Sequence, residues 1–349
     1  MTVGGRANAQ LAVVIVGTGG IARAHARACR DVDGIELVAA CDVSREAVDR
    51  FGDEWGLPSE RRFTDAVAMV EALSPDIAVI ATWAVTHAET GIALAATGRV
   101  RAILCEKPFT STAAEAVALV RACREAGILI AEAFKFRHHP AHLALKARVD
   151  AGAIGDLRMI RSTFWQSIDP AQRRPEANWR WNRARGGGSI YDLACYGIHH
   201  ARFVAGTEPL RVHTAARHAG EIDAAASIIL EFPDDVLATI SVAHDTWHVH
   251  DVEVAGTAGS LRLENAWNNE DQEVTVVERA HSGETRTDFA PTFQFAEQLR
   301  HFASCLREGT AHRIPPEDSI AQMRVIDAAF ASMASGLPVA VDTKPVPIP

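Results

Sequence analysis

Three side chains capable of acid–base work recur at helical spacing in one stretch of the chain. Asp192, Tyr196 and His199 stand at i, i+4 and i+7, so on a helix they fall within an arc of roughly 60°. Ile190, Leu193, Gly197, Ala201 and Val204 gather on the opposite side. That pattern predicts one buried face and one face presenting a carboxylate, a phenol and an imidazole. The only two tyrosines, Tyr191 and Tyr196, both lie here, whereas solvated helix faces usually carry Lys and Glu. Gly186-Gly187-Gly188 reads as a flexible approach, and Ser189 as the N-cap of the helix.

A second reactive group is Lys107, in Glu106-Lys107-Pro108. The proline keeps the lysine out of helical geometry, at the end of a short apolar run from Arg101 to Cys105. A third feature is Gly17-Thr18-Gly19-Gly20-Ile21-Ala22, directly after the apolar run Leu11 to Val16 and before a helical segment, Ile21 to Arg30. A strand, a glycine turn and a helix in that order suit a dinucleotide. Gly17 allows the tight turn, Gly19 lets backbone N–H groups approach a pyrophosphate, and the helix N-terminus stabilises its charge. A second strand, Ile35 to Cys41, ends in Asp42, about twenty residues on, where a carboxylate would bind the adenosine ribose. Because Asp42 repels a 2′-phosphate, NAD is expected over NADP, although Arg45 lies close enough in sequence to pair with one.

These groups need elements to hold them. Helical patterns at Ala66–Leu73, His87–Thr97 and Thr112–Ala126 alternate with apolar strands at Asp76–Thr82, Arg101–Cys105 and Ile128–Ala131. Such alternation predicts a doubly wound parallel sheet over residues 1–131, with residues 1–10 as a frayed tail. Ligands bind beyond the strand C-termini of such sheets, which puts Thr82, Trp83, His87, Glu106 and Lys107 near the cofactor. From residue 132 the pattern changes. A helix at His139–Ala151, a strand at Leu157–Ser167 and a polar loop from Ile168 to Arg185 lead to the triple glycine. Beyond the central helix come strands at Leu210–Arg217, Ala224–Phe232, Val236–His244, Val249–Ala255, Ser260–Leu263 and Glu273–Val277. Two helices, Phe293–Glu308 and Glu317–Ser335, close the chain. Residues 132–349 are therefore expected to form an open antiparallel sheet with helices on one face. The bare face would be covered by a second copy, as a homodimer or homotetramer.

Composition sets outer bounds. A net charge of −9, with no Lys/Arg run, argues against nucleic acid and leans slightly toward a cationic substrate. No apolar run reaches the length of a membrane span. The six cysteines show no metal spacing, consistent with reduced thiols in a cytoplasmic protein. His244, His248 and His250 share a strand face but have no evident carboxylate or cysteine partner, so no metal is expected.

The ordered set of motifs resembles the glucose-fructose oxidoreductase/inositol dehydrogenase (Gfo/Idh/MocA) family over essentially the whole chain. It comprises the Gly17–Ala22 fingerprint, Glu106-Lys107-Pro108, Glu132-Ala133-Phe134 and Arg137-His138-His139-Pro140. Ala151-Gly152-Ala153-Ile154-Gly155, Trp179-Arg180, Gly186 to Tyr196 and Gly256-Thr257-Ala258-Gly259-Ser260 complete it. The resemblance implies a catalytic group of Lys107, Asp192 and Tyr196. Tyrosine in the last position, with Cys195 before it and Ala201-Arg202 after, is similar to the branch holding glucose-fructose oxidoreductase, xylose dehydrogenase and dihydrodiol dehydrogenase. Two departures from the pattern stand out: His199, where that branch usually has Asn, and Thr82-Trp83-Ala84, in place of Thr-Pro-Asn.

The expected reaction is reversible hydride transfer between a secondary alcohol of a sugar-like substrate and nicotinamide. Tyr196 would move the proton, with the Lys107 ammonium favouring phenolate and polarising the reacting oxygen. Asp192 would orient the substrate hydroxyl or hold Lys107. His199, Trp165, Trp179 and Arg180 would line the substrate pocket. A short-chain dehydrogenase is excluded, because the fourth residue after Tyr191 is Cys195 and after Tyr196 is His200, not lysine. Two alternatives stand beside this reading. One is a redox-neutral enzyme using NAD transiently for elimination, hydrolysis or epimerisation. The other is a non-enzymatic dinucleotide sensor.

Overall fold

The computed structural model describes residues 10–344; apart from Gln10, the expected N-terminal tail lies outside them. Largely apolar runs form the parallel strands β1 (Leu11–Val16), β2 (Ile35–Cys41), β4 (Ile77–Ile80), β5 (Ala102–Cys105) and β6 (Leu129–Glu132), and the half-buried pair Arg62–Phe63 adds the short β3. They lie in the order β3-β2-β1-β4-β5-β6. Helices α1 (Gly20–Asp31), α2 (Arg45–Trp55), α3 (Ala66–Leu73), α4 (Ala84–Ala96) and α5 (Ala113–Glu125) connect them. β1 and β4 are adjacent while the chain winds outward on either side, so the strand order reverses between them. A crevice opens at such a reversal, and the Gly17 turn sits at its mouth.

After α6 (Pro140–Asp150) come β7 (Leu157–Ser167) and α7 (Cys195–Ala205), followed by seven more strands, the helices α8 (Gln294–Glu308) and α9 (Pro316–Ser335) and a last short strand. The seven are β8 (Arg211–Ala219), β9 (Ile222–Glu231), β10 (Leu237–Ala243), β11 (Asp245–Gly256), β12 (Gly259–Glu264), β13 (Val274–Ala280) and β14 (Gly283–Phe289); β15 is Val339–Ala340. Together they form a nine-stranded sheet in the order β14-β13-β12-β11-β7-β10-β9-β8-β15. The expected all-antiparallel sheet is corrected at its centre, where β7 and β10 pair in parallel with Met159 opposite Leu237. The connection between those strands is long enough to return the chain to the same end. Ile160, Ser162 and Phe164 of β7 face the helices, and Gly197 of α7 lies so close that a Cβ there would meet Ile240 and Ser162 at 2.7 Å. α8 crosses back to the first sheet: Phe295, Leu299 and Phe302 join the core beneath β1 and α1.

The stretch expected as a flexible approach is packed tightly instead. A Cβ on Gly187 would lie 2.6–2.7 Å from the carbonyl oxygens of Trp179, Arg180 and Asn182, and one on Gly188 2.2 Å from Asp223. Ser189 does not cap the helix. Asp223 on β9 does so from outside, accepting from the Ser189 hydroxyl at 3.0 Å and the Ile190 N–H at 2.7 Å. Residues 190–194 wind as a single π turn before α7 begins, a local form that clusters at functional sites.

Candidate active site

The fingerprint turn builds one wall of a cleft. Gly17 has φ +91° and lies against Ala81 and Thr82, where a Cβ would sit 2.7 Å from a carbonyl oxygen. Beside Gly19 and Gly20, by contrast, a Cβ would meet nothing within 4 Å. The backbone is thus open toward the N-terminus of α1, as a pyrophosphate requires. The cleft holds about 430 Å³ and is lined by Gly17, Gly19, Asp42, Thr82, Trp83 and Thr86, among others. Asp42 closes its far end. Its carboxylate accepts from the Thr18 N–H at 2.8 Å, the Thr18 hydroxyl at 3.0 Å and the Ser44 N–H at 3.0 Å. Arg45 turns away to the Arg62 carbonyl, 3.0 Å distant. The residues present fit a dinucleotide.

Strand ends connect this cleft to the reactive groups. The His87 ring is buried between two of them, with Nε2 3.2 Å from the Thr82 carbonyl and Nδ1 3.1 Å from that of Pro108. Burial holds its pKa below the ordinary value. Glu106 points inward to His25 of α1, at 2.8 Å. Burial pushes its carboxyl up, but the His25 hydrogen bond and nearby charges outweigh that and hold it below the usual range. From β6, Glu132 accepts the Phe109 N–H at 2.9 Å and so fixes the turn after Pro108.

Lys107 emerges from that turn. Its ammonium donates to the Asp192 carboxylate and to the Asp192 carbonyl, both at 2.9 Å. Arg180 donates to the other carboxylate oxygen at 2.6 Å, its guanidinium stacked 4.7 Å above the Trp179 ring. Burial alone would raise Asp192, yet Arg180 and then Lys107 hold it far below the carboxylate range. Burial likewise pulls Lys107 down, and Asp192 more than restores it, leaving it above its ordinary value. The Lys107 ammonium also lies 4.9 Å from the centroid of the Tyr196 ring. Phe134, Phe164 and Trp267 surround that ring at 5.6–5.8 Å.

Two corrections follow. Burial raises the Tyr196 phenol above its ordinary range, and the pull of Lys107 does not offset it. The physical reason is that Asp192 already neutralises the Lys107 charge, so little field is left to stabilise phenolate. The Asp192–Tyr196–His199 row is also broken. His199 lies a further ~4.5 Å along the helix, stacked on Phe134 at 4.1 Å, with Arg137 2.8 Å from its Nε2. It belongs to a buried cluster in which Asp318 of α9 also pairs with Arg202 at 2.6 Å. Trp165 is likewise not brought to the site: it projects from the opposite face of β7 and donates to Ser241 at 2.9 Å. Three residues without a predicted role stand close by: His25 and Glu132 behind the Lys107 turn, and His244, buried within the fields of Asp192 and Arg180. His25 shares the apolar stripe of Ala22, Ala26 and Cys29, a pattern that signals burial but names no partner.

Residues 11–134 match the family model described as an oxidoreductase family with an NAD-binding Rossmann fold, and residues 142–262 match the GFO/IDH/MocA C-terminal domain. The chain belongs to the GFO/IDH/MocA family. A D-apiose dehydrogenase from Paraburkholderia graminis is 29% identical, covering 92% of this chain and 87% of that protein. A D-xylose 1-dehydrogenase (NADP(+)) from Haloferax volcanii is also 29% identical, over 94% of this chain and 99% of its own. The fold is shared with an aldose-aldose oxidoreductase from Caulobacter crescentus, at TM-score 0.87 and 24% identity over 95% of this chain and all of that one. This GFO/IDH/MocA protein is accordingly an NAD(P)-dependent oxidoreductase acting on CH–OH groups. No helix among the described residues is long and apolar enough to cross a membrane.

Proposed function

We propose that the protein interconverts a secondary alcohol and a ketone on a sugar-like substrate, with Tyr196 moving the proton and Lys107 polarising the reacting oxygen. The observation that carries this is the convergence of Lys107, Asp192 and Tyr196 at the strand end next to the Gly17–Asp42 cleft. When bound, nicotinamide accepts or supplies the hydride. Tyr196, kept protonated by burial, donates to the developing alkoxide in reduction; in oxidation it must first release its own proton, and only the phenolate then receives the hydroxyl proton. Lys107 spends two of its ammonium hydrogens on Asp192 and has a third to donate to the oxygen where negative charge gathers. Asp192, fixed by Arg180, sets the direction of the ammonium. A ketone gains most from a ready-made proton donor, so reduction is the direction that the phenol favours.

The half-buried Asp42 carboxylate and the outward turn of Arg45 support NAD over NADP. The pairing of dehydrogenase relatives with the cationic Lys107–Arg180 wall supports a polyhydroxylated substrate whose oxygens accept hydrogen bonds. A panel of aldoses, cyclitols and amino sugars, scored by NADH formation with purified protein, is expected to yield at least one substrate. Turnover with tightly kept cofactor and no free NADH would sink the dehydrogenase reading. In the same assay Asp42→Ala is expected to relax the cofactor preference toward NADP; a wild type already favouring NADP would overturn the role given to Asp42.

A further inference from the structure

Away from Lys107, three histidines distant in sequence meet in the interior. His138 ends the short helical turn after β6, His301 lies on α8, and His312 lies in the connection to α9. One ring nitrogen from each falls within 4.8 Å of the others, and the ring centroids are 4.8–5.4 Å apart. His138 and His312 are each only 4% exposed. Neither nitrogen of His138, nor Nε2 of His312, has a hydrogen-bond partner among the described residues. Buried polar atoms left this way are costly, and natural cores rarely keep three together without a reason.

The surroundings suit ligation by neutral imidazole. Burial holds all three rings below their ordinary pKa, with His312 at about 3, so each keeps a lone pair at neutral pH. Nδ1 of His312 lies 3.2 Å from both the Ile314 carbonyl and the Ile314 N–H; in the tautomer that donates to the carbonyl, Nε2 is left to bind. His301 accepts the Arg313 N–H at 3.2 Å on Nε2, a bond that ligation by this ring would replace. The buried thiol of Cys305 lies 3.7–3.9 Å from the His301 nitrogens. The Arg313 guanidinium opposes a cation, although it is held on the Arg137 carbonyl at 3.0 Å, and the Glu308 carboxylate favours one. We propose that His138, His301 and His312 form a structural site for a borderline-soft divalent cation of the zinc type. A metal there would tie the α8–α9 connection to the turn that follows β6.

Tag-free full-length protein, stripped with chelator, provides the test. Zn²⁺ is expected to bind at about one equivalent per chain, to raise Tm by several degrees where Mg²⁺ does not, and Co²⁺ to give tetrahedral visible bands. His138→Gln and His312→Gln should each weaken Zn²⁺ binding by at least about tenfold, while the exposed control His218→Gln leaves it unchanged. Absence of Co²⁺ bands in the wild type, or Zn²⁺ binding that survives both substitutions, would show a stacked histidine core and overturn the proposal. The wild-type spectra keep the test decisive even if a variant fails to fold.

Discussion

At the residue scale the site is a contest between burial and charge, and different residues resolve it differently. Asp192 has two cationic partners, which outweigh its burial. Tyr196 has only a cation over its ring face, one already paired with Asp192, so burial wins. Removing the phenol oxygen by Tyr196→Phe is therefore expected to lower kcat by on the order of 10²-fold or more, with NAD binding nearly unchanged by fluorescence titration. Unchanged turnover would remove Tyr196 from proton transfer. Lys107→Ala should fall as far for a second reason: it leaves Asp192 facing Arg180 alone and takes the positive charge from the reacting oxygen. A raised phenol pKa also predicts that the rate of ketone reduction stays level from about pH 6 to about pH 9, since the proton donor does not titrate there. A fall centred near neutrality would mean that another group supplies the proton.

At the element scale, what was legible in the sequence was what short-range patterning encodes. β2, α3 and β7 fall where apolar periodicity places them, and the Gly17 turn and the Lys107 strand end follow from their neighbours. β14 was not legible because Gly283–Phe289 is almost wholly exposed and carries no alternation. The Ser189 cap was misread because its rival, Asp223, lies 34 residues away, and local sequence cannot weigh a distant carboxylate. His199 and Trp165 were misplaced for a related reason: spacing gives a direction about one helix or strand, not what packs against it. The turn bearing Lys107 shows the same dependence on distant groups. Burial pushes the Glu132 carboxyl, which anchors it, up to about 8. The folded chain then keeps a proton that the unfolded chain releases, so this contribution is complete below the unfolded value of ~4.3 and is lost as pH rises through about 8. Stability measured by urea unfolding should thus fall between about pH 5 and about pH 8, at ~1.4 kcal/mol per pH unit from this group. Glu132→Gln, which stays neutral and can still accept the Phe109 N–H, should flatten the slope; an unaltered slope would place the titrating group elsewhere.

At the scale of the whole molecule, the nine-stranded sheet is asymmetric: α6, α7 and α9 cover one face, and the other is bare. On the bare face Met159, Ile229 and Leu237, on three neighbouring strands, are about two-fifths exposed, and Trp247 on β11 is 82% exposed. Strands about 4.8 Å apart and about 20 Å long make a nine-stranded face of roughly 800 Å², the area each partner buries in a standard stable interface. We therefore expect the protein to associate with a second copy through this face. Light scattering should give a mass of two or four chains. Met159→Arg or Leu237→Arg, each of which would bury an unpaired charge in that interface, should yield a folded monomer with an unchanged far-UV spectrum. Asp192 and Tyr196 lie on the helix side of the sheet, so the monomer should keep its cofactor affinity. A wild type that is monomeric at micromolar concentration would mean the sheet stands open to water, its apolar side chains diluted by ion pairs such as Arg161–Glu253.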